Sequence, residues 1–137
     1  MNRHIVNGVR WIPAAAITAC SWHLSSQPTI AHMPQFWNAD KLVHTLCFGG
    51  LAFWTAFGVR FRPQWKPRLS ILLPAACVSL YGIVDEIHQS FTPGRSCSPF
   101  DWMADTLGAL LGSAVFYVLV RNISQRRSSR LSPAPAD

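Results

Sequence analysis

Long apolar stretches separated by short polar segments dominate this chain. Four apolar runs stand out: Trp11 to Leu24, Leu42 to Val59, Leu69 to Val84 and Trp102 to Val120. A helix needs about 20 apolar residues to cross a bilayer, within a range of about 17–25. The fourth run meets this length, the second lies near its lower limit, and the first and third reach it only when their polar ends are counted. The pattern predicts an all-α membrane protein, a four-transmembrane-helix bundle over residues 11–120.

Composition supports the membrane prediction and limits the number of domains. Half of the 137 residues are hydrophobic and only 13% are charged, against about 25% in a typical soluble domain. A chain of this length forms one domain. Residues 1–10 are predicted to be a cytoplasmic N-terminal lead. Residues 121–137 are predicted to be a cytoplasmic tail that is disordered, because they are polar and rich in Ser, Arg and Pro.

The net charge of +6 is explained by the membrane topology. With four spans, ten of the 12 basic residues fall at one face, and only Lys41 and Arg95 at the other. The ten are Arg3, Arg10, Arg60, Arg62, Lys66, Arg68, Arg121, Arg126, Arg127 and Arg130. The positive-inside rule places this face, and both termini, in the cytoplasm. Because topology accounts for the basic residues, no nucleic-acid partner is predicted.

The few acidic residues are concentrated where the helices are predicted to reach the outer face. Five of the six are Asp40, Asp85, Glu86, Asp101 and Asp105, and the sixth, Asp137, lies in the tail. Ionisable groups close to a bilayer core are costly and usually functional. The predicted topology brings these five carboxylates, with Lys41, His44, His88 and Arg95, to one extracytoplasmic layer. We therefore expect an outward-facing polar site.

Helical spacing groups these side chains further. Residues three or four positions apart share a helix face. Such sets are Asp40 with His44, Asp85 with His88 and Gln89, and Asp101 with Asp105. Gly108 and Gly112 continue the face of the last pair and allow a neighbouring helix to approach closely, so both aspartates are expected to face protein. Glu86 is expected to point about 100° away from Asp85.

Three kinds of chemistry suit this set. Asp85, Glu86 and His88 are catalytic candidates for acid–base work on a lipid-linked phosphate or sugar, with Arg95 holding an anion. The remaining candidate binding residues are Asp40, Lys41, His44, Gln89, Asp101 and Asp105. Alternatively, carboxylates with His44 and His88 bind a divalent cation, although the spacing matches no strong metal motif. A third possibility is a cavity that binds a headgroup or small ligand without turnover.

The four cysteines do not form a disulfide framework, and no pair has metal-ligand spacing. Cys20, Cys47 and Cys77 lie within apolar runs, and Cys97 lies in a predicted loop. The residues before Cys20 also resemble a bacterial lipoprotein cleavage site, which would make Cys20 an acylated N-terminus. The polar segment at residues 25–28 follows as a normal helix exit and favours an uncleaved first span.

Four motifs resemble those of a known family. They are Ser25-Ser26-Gln27-Pro28; Asp40-Lys41-x-x-His44-x-x-x-Phe48; Tyr81-Gly82-x-x-Asp85-Glu86-x-His88-Gln89-x-Phe91-x-Pro93-Gly94-Arg95-x-x-x-x-x-Asp101; and Gly108-x-x-x-Gly112. Over residues 10–120 the chain resembles the VanZ-like family of bacterial integral membrane proteins. That family usually carries Asn at the position of Asp105, so this chain has an additional acid in the predicted site.

The resemblance implies a multi-pass protein of the bacterial cytoplasmic (inner) membrane and the cell envelope. The family is named for a protein linked to resistance to the glycopeptide teicoplanin, yet it occurs widely in bacteria without that resistance. We expect a site for membrane lipids or a lipid-linked envelope precursor. A hydrolase or transferase acting on a lipid-linked substrate, and a purely structural polar network, are the alternatives. The cofactor, the oligomeric state and the presence of catalysis are left open by the sequence.

Overall fold

A computed structural model describes residues 7–29, 36–59 and 66–131 of the protein. Within these residues the regular structure is helical throughout, in agreement with the all-α prediction. The four long helices are α1 (Ile12–Ser25), α2 (Ala39–Val59), α3 (Pro67–Gln89) and α4 (Pro99–Leu131). Helices α2, α3 and α4 are each long and apolar enough to cross a membrane. Helix α1, with 14 residues, is shorter than the about 17 residues that a span requires.

The surface of the three long helices suits a lipid environment. Only 28–33% of the most apolar window of each helix is buried inside the protein. Large aliphatic side chains such as Leu46, Leu80 and Val115 are more than half exposed. Exposed apolar surface on this scale marks a membrane or interaction surface. The described part of the chain therefore has the properties of a membrane protein.

The helices begin and end so that the polar residues lie within them. Helices α3 and α4 start at Pro67 and Pro99, a favoured first position because proline has no N–H to leave unpaired. Asp40 and Asp101 occupy the first turns of α2 and α4, where a carboxylate interacts favourably with the helix dipole. Helix α3 continues past the apolar run, which ends at Val84, to Gln89. The hydropathy pattern alone therefore sets these bounds several residues too short.

Helix α4 also extends beyond its apolar run, into the first part of the segment predicted to be a tail. The apolar run ends at Val120, whereas the helix continues to Leu131. Residues 121–130 are all exposed. Once a helix has formed, each added residue gains a hydrogen bond without a new nucleation step, so polar residues can extend it. The predictions made for Arg3, Arg60, Arg62 and residues 132–137 concern positions outside the described residues.

Helices α2 and α4 form the most extensive helix pair, and glycines bring their backbones into contact. A Cβ atom added at Gly108 would overlap the carbonyl oxygen of Thr45, and one added at Gly112 would overlap that of Gly49. This confirms the close approach predicted from the Gly108-x-x-x-Gly112 spacing. The contact fixes how far α4 can slide along α2, and hence which side chains face each other nearer the start of both helices.

The opposite end of the bundle is packed with aromatic side chains. Phe116 of α4 meets Phe53 and Phe57 of α2 edge-on, with ring centroids 5.3 Å and 6.4 Å apart. Trp54 makes the same edge-on contact with both phenylalanines of its own helix. This geometry is the favoured one for aromatic pairs. We call these residues, Phe53, Trp54, Phe57 and Phe116, the aromatic end.

Candidate functional site

The ten residues predicted to form the site all lie at the other end of the bundle, where α1 and α3 end and α2 and α4 begin. Hydrogen bonds between helices demonstrate this: Ser25 to Asp85, Lys41 to Asp101, and His44 to Asp105. We call this set the polar end. Its members are Asp40, Lys41, His44, Asp85, Glu86, His88, Gln89, Arg95, Asp101 and Asp105.

Asp85 anchors α3 to α1. Its side chain is 1% exposed. The hydroxyl of Ser25 lies 2.9 Å and 2.8 Å from its two carboxylate oxygens, and the hydroxyl of Ser21 lies 3.3 Å from Oδ1. A buried carboxylate requires such donors, because an unpaired one costs several kcal/mol. Ser21 and Ser25 were not predicted as partners of Asp85, although two serines four residues apart in an apolar run indicate a polar stripe facing protein.

A short chain of hydrogen bonds continues from Ser25 into the loop after α3. The side-chain amide of Gln89 donates to the Ser25 hydroxyl at 3.4 Å. Arg95 in turn donates to the Gln89 carbonyl oxygen through Nε at 3.3 Å and through Nη2 at 2.7 Å. The hydroxyl of Thr92 donates to the backbone carbonyl of Ser25 at 2.9 Å. These contacts hold the guanidinium of Arg95 beside α1 and α3.

A second group of charged side chains joins α2 to α4. The ammonium of Lys41 lies 2.9 Å from a carboxylate oxygen of Asp40 and 2.9 Å from one of Asp101. Deeper in the bundle, Nδ1 of His44 lies 2.9 Å from Oδ1 of Asp105. Asp105 is fully buried. The expectation that Asp101 and Asp105 face protein is confirmed.

Glu86 points towards this second group rather than towards Asp85's partners. Its side chain is 2% exposed, and Oε2 accepts a hydrogen bond from the backbone N–H of Ser98 at 2.7 Å. The other oxygen, Oε1, is buried and has no hydrogen-bond partner within the described residues. Glu86, His44 and Asp101 each have one potential ligand atom, and these three atoms lie within 4.8 Å of one another. These three side chains can approach a common metal ion.

His88 lies apart from both groups. Its ring stacks on Trp22 of α1, with centroids 3.7 Å apart and planes 8° from parallel. Its Nε2 is 3.4 Å from the hydroxyl of Ser26. No hydrogen bond joins any two of the three catalytic candidates in residues 66–131, where all three lie. Asp85, Glu86 and His88 thus point to three different sets of partners, which does not correspond to a carboxylate–histidine acid–base pair.

Two cavities that share four lining residues lie at the polar end. The outer one has a volume of about 270 Å³ and includes Asp40, Asp101 and Ser96 in its wall. The deeper one, about 40 Å³, reaches Ser21 and Asp85. Both are lined by Val43, His44, Gln89 and Arg95. The deep cavity is large enough for one or two water molecules, and the outer one for a small polar group.

Comparison with known proteins agrees with the motifs. No curated protein and no solved structure gives a match. A family model described as VanZ/LLP1 matches residues 1–121. The match includes all four helices up to the point where α4 leaves its apolar run, and all ten residues of the polar end. This chain therefore belongs to the VanZ/LLP1 family.

Proposed function

We propose that this protein crosses the inner membrane of a bacterium four times, with both termini in the cytoplasm and the polar end outside. Of the basic residues in the described ranges, only Lys41 and Arg95 lie at the polar end. Arg10, Lys66, Arg68 and the four arginines of 121–130 lie at or beyond the aromatic end. The excess of basic residues beyond the aromatic end supports a cytoplasmic location for that side.

Helix α1 is the fourth span in this proposal, despite its short length. At 1.5 Å per residue its 14 residues cover about 21 Å, against about 30 Å of hydrocarbon. Hydrogen bonds from the second half of α1 to α3 support insertion: Tyr81 donates to the backbone carbonyl of Thr18 at 3.3 Å, and Asp85 accepts from Ser25. In this proposal, the polar residues that flank α1 at both ends cover the remaining thickness of the membrane.

The topology is tested by labelling cysteines from one side of the membrane. Cys97 is exposed in the loop before α4. In a variant that retains Cys97 alone (Cys20→Ala, Cys47→Ala, Cys77→Ala), a membrane-impermeant maleimide should label spheroplasts without permeabilisation. The matched control adds Cys97→Ala and Ser128→Cys, and should be labelled only after permeabilisation. The reverse pattern would contradict the orientation.

We further propose that the polar end binds the phosphate-bearing headgroup of a membrane lipid or a lipid-linked envelope precursor. The observation that carries this proposal is the pairing of Arg95. It lines both cavities, yet its two hydrogen bonds go to the neutral amide oxygen of Gln89. No carboxylate forms an ion pair with it in the described residues, whereas Lys41 is paired with two. A guanidinium with unused N–H donors suits a phosphate.

This geometry favours binding over catalysis. The three catalytic candidates have separate partners, and Asp85 is held by the hydroxyls of Ser21 and Ser25. A lipid-linked cell-wall precursor would also relate the site to the glycopeptide resistance for which the family is named. That relation is part of the proposal. Hydrolase or transferase activity on a lipid-linked substrate is the alternative function.

The headgroup proposal is tested by calorimetry in detergent with two short-chain lipids, dioctanoyl phosphatidic acid and dioctanoylglycerol, which lacks the phosphate. The wild-type protein should bind only the phosphate-bearing lipid. Arg95→Gln should weaken that binding about tenfold or more, since a hydrogen bond to a charged group contributes about 1.5–3 kcal/mol. Arg68→Gln, on the far side of the bundle, is the matched control. Equal binding of both lipids, or full binding by a folded Arg95→Gln variant, would refute the proposal.

A further inference from the structure

We propose that His44, Glu86 and Asp101 form a binding site for a divalent transition-metal ion, with Zn²⁺ as the best fit, and that Asp105 is its positioning residue. The three ligands come from α2, α3 and α4, so the ion would link the three long helices at the polar end. This proposal does not rest on headgroup binding. It concerns side chains other than Arg95, and it is tested without a lipid.

The distances suit a metal after small side-chain rotations. The potential ligand atoms of the three residues lie within 4.8 Å of one another. Zinc binds nitrogen and oxygen ligands at about 2.0–2.2 Å, so two ligands at tetrahedral angles are about 3.4 Å apart. Closing the longest separation by about 1–1.5 Å is within the reach of χ rotations of Glu86 and Asp101. No movement of a helix is required.

Glu86 provides independent support for a ligand. Only 2% of Glu86 is exposed, so the residue is almost completely buried. One carboxylate oxygen is held by the Ser98 backbone N–H, and the other has no partner within the described residues. A buried carboxylate oxygen without a donor is strongly unfavourable. A metal ion between Glu86, His44 and Asp101 would complete its coordination.

His44 is oriented in the way that metal-binding histidines usually are. Its Nδ1 is 2.9 Å from a carboxylate oxygen of the fully buried Asp105. A ring nitrogen beside a carboxylate carries the proton, which leaves the lone pair on Nε2 for a metal. Such carboxylate–histidine–metal arrangements fix the tautomer and increase the basicity of the ligand. An Asn at this position would accept the same hydrogen bond without the charge.

The charge of the polar end also favours a cation. It contains five carboxylates but only two basic side chains, which gives a net charge of −3 when the histidines are neutral. Lys41 is bound to Asp40 and Asp101, so the buried Asp85, Glu86 and Asp105 have no lysine or arginine partner within the described residues. Uncompensated buried charges are costly near a bilayer. A divalent ion reduces the net charge to −1 and binds Glu86, one of these three carboxylates, directly.

The ligand types decide which ion fits. Mg²⁺ and Ca²⁺ prefer sets of six or more oxygen ligands, whereas one imidazole and two carboxylates suit zinc. Three protein ligands leave a fourth position for water or another oxygen ligand. The structure therefore favours Zn²⁺ over Mg²⁺ at this site.

The direct test is Zn²⁺ titration of the full-length protein in detergent after treatment with a chelator, followed by calorimetry. One ion should bind per chain, and a large excess of Mg²⁺ should not displace it. His44→Gln and Glu86→Gln should each lower the affinity at least 100-fold. His88→Gln, which removes the other imidazole of the polar end, is the matched control and should bind normally. Loss of binding only in the control, or no stoichiometric Zn²⁺ in the wild-type protein, would overturn the proposal.

Two further measurements separate a ligand from a purely structural role. Asp105→Asn should weaken Zn²⁺ binding about 10- to 100-fold while one ion per chain still binds, as expected for a residue that orients a ligand. X-ray absorption spectroscopy of the zinc-loaded wild-type protein should show only nitrogen and oxygen neighbours near 2 Å, within about 0.2 Å. This result does not depend on the folding of any variant. A sulfur neighbour would assign the ion to a cysteine and overturn the proposal.

Discussion

The two ends of this bundle are held together in different ways. At the aromatic end, α2 and α4 meet through edge-on rings, led by Phe116 between Phe53 and Phe57. At the polar end, the same two helices meet through the His44–Asp105 and Lys41–Asp101 pairs. Aromatic packing contributes stability without requiring defined protonation states. Buried charged pairs contribute little net stability and are expensive to break.

The aromatic end and the polar end are expected to contribute differently to stability and to function. A protein that needed only stability would be served as well by apolar residues at both ends, because replacing buried ion pairs by apolar side chains is often neutral or stabilising. Within the described residues, the polar end contains the cluster of possible metal ligands and both of these cavities. We therefore expect changes at the aromatic end to alter stability alone, and changes at the polar end to alter binding first.

The largest effect is expected where one substitution breaks both ends. Gly112→Leu would place a side chain against the Gly49 backbone of α2, so α4 must move away. Overpacking ordinarily costs about 1–3 kcal/mol and more when backbone is the obstacle. We expect loss of cooperative thermal unfolding in detergent together with loss of binding at the polar end. Gly8→Ala is the control, because nothing lies near the added Cβ; a stable, ligand-binding Gly112→Leu protein would contradict the close contact.

Phe116→Ala should separate the two ends. Phe116 is 7% exposed and contacts two rings of α2, so its removal leaves a cavity that costs about 3 kcal/mol. The unfolding temperature should fall clearly, while Zn²⁺ affinity at the polar end stays within about twofold in the folded protein. Phe100→Ala, at the start of α4 and 67% exposed, should change stability far less. Equal destabilisation by the two variants would argue against a packed aromatic end.

The smallest effect is expected from Ser25→Ala, which acts within the polar end. It removes the main donor to Asp85 and the acceptor for the Gln89 amide. Leaving buried polar groups unpaired costs about 1–3 kcal/mol, and the looser Arg95 should weaken phosphate binding. Ser26→Ala removes the neighbouring, exposed hydroxyl and should be nearly neutral in both respects. If thermal melts and lipid titrations do not distinguish the two variants, Asp85 does not depend on the Ser25 hydroxyl.

Much of the fold could be predicted from the sequence, because its determinants are local. Apolar runs predict the helices, and the Gly108-x-x-x-Gly112 spacing predicts the close contact with α2. The ends of the helices were predicted less well, since hydropathy falls where carboxylates enter a helix although the backbone stays helical. Asp40 and Asp101 lie in first turns that hydropathy excludes, although a carboxylate near a helix N-terminus is itself a signal for such a position.

The partners of the site residues could be predicted only in part. Helical periodicity separates the face of Glu86 from that of Asp85, and the hydrogen bonds of the two residues agree with this. The donors themselves, Ser25 and the Ser98 backbone N–H, depend on how α1 and the loop after α3 pack. A backbone donor has no signature in the sequence. The grouping of His88 with the carboxylates followed spacing alone and could not anticipate its stacking on Trp22.

The bond between Ser25 and Asp85 joins residues 60 positions apart, which has a consequence for synthesis at the ribosome. Chains grow at about 5–20 residues per second, so α1 emerges about 3–12 s before the aspartate that it contacts. During that interval α1, the shortest of the four long helices, has neither α3 beside it nor the Asp85 carboxylate to accept from its serine hydroxyls. In the proposed four-span topology, α1 therefore gains these contacts only after α3 has been synthesised, and Asp85 depends on α1 already being in place for its serine donors.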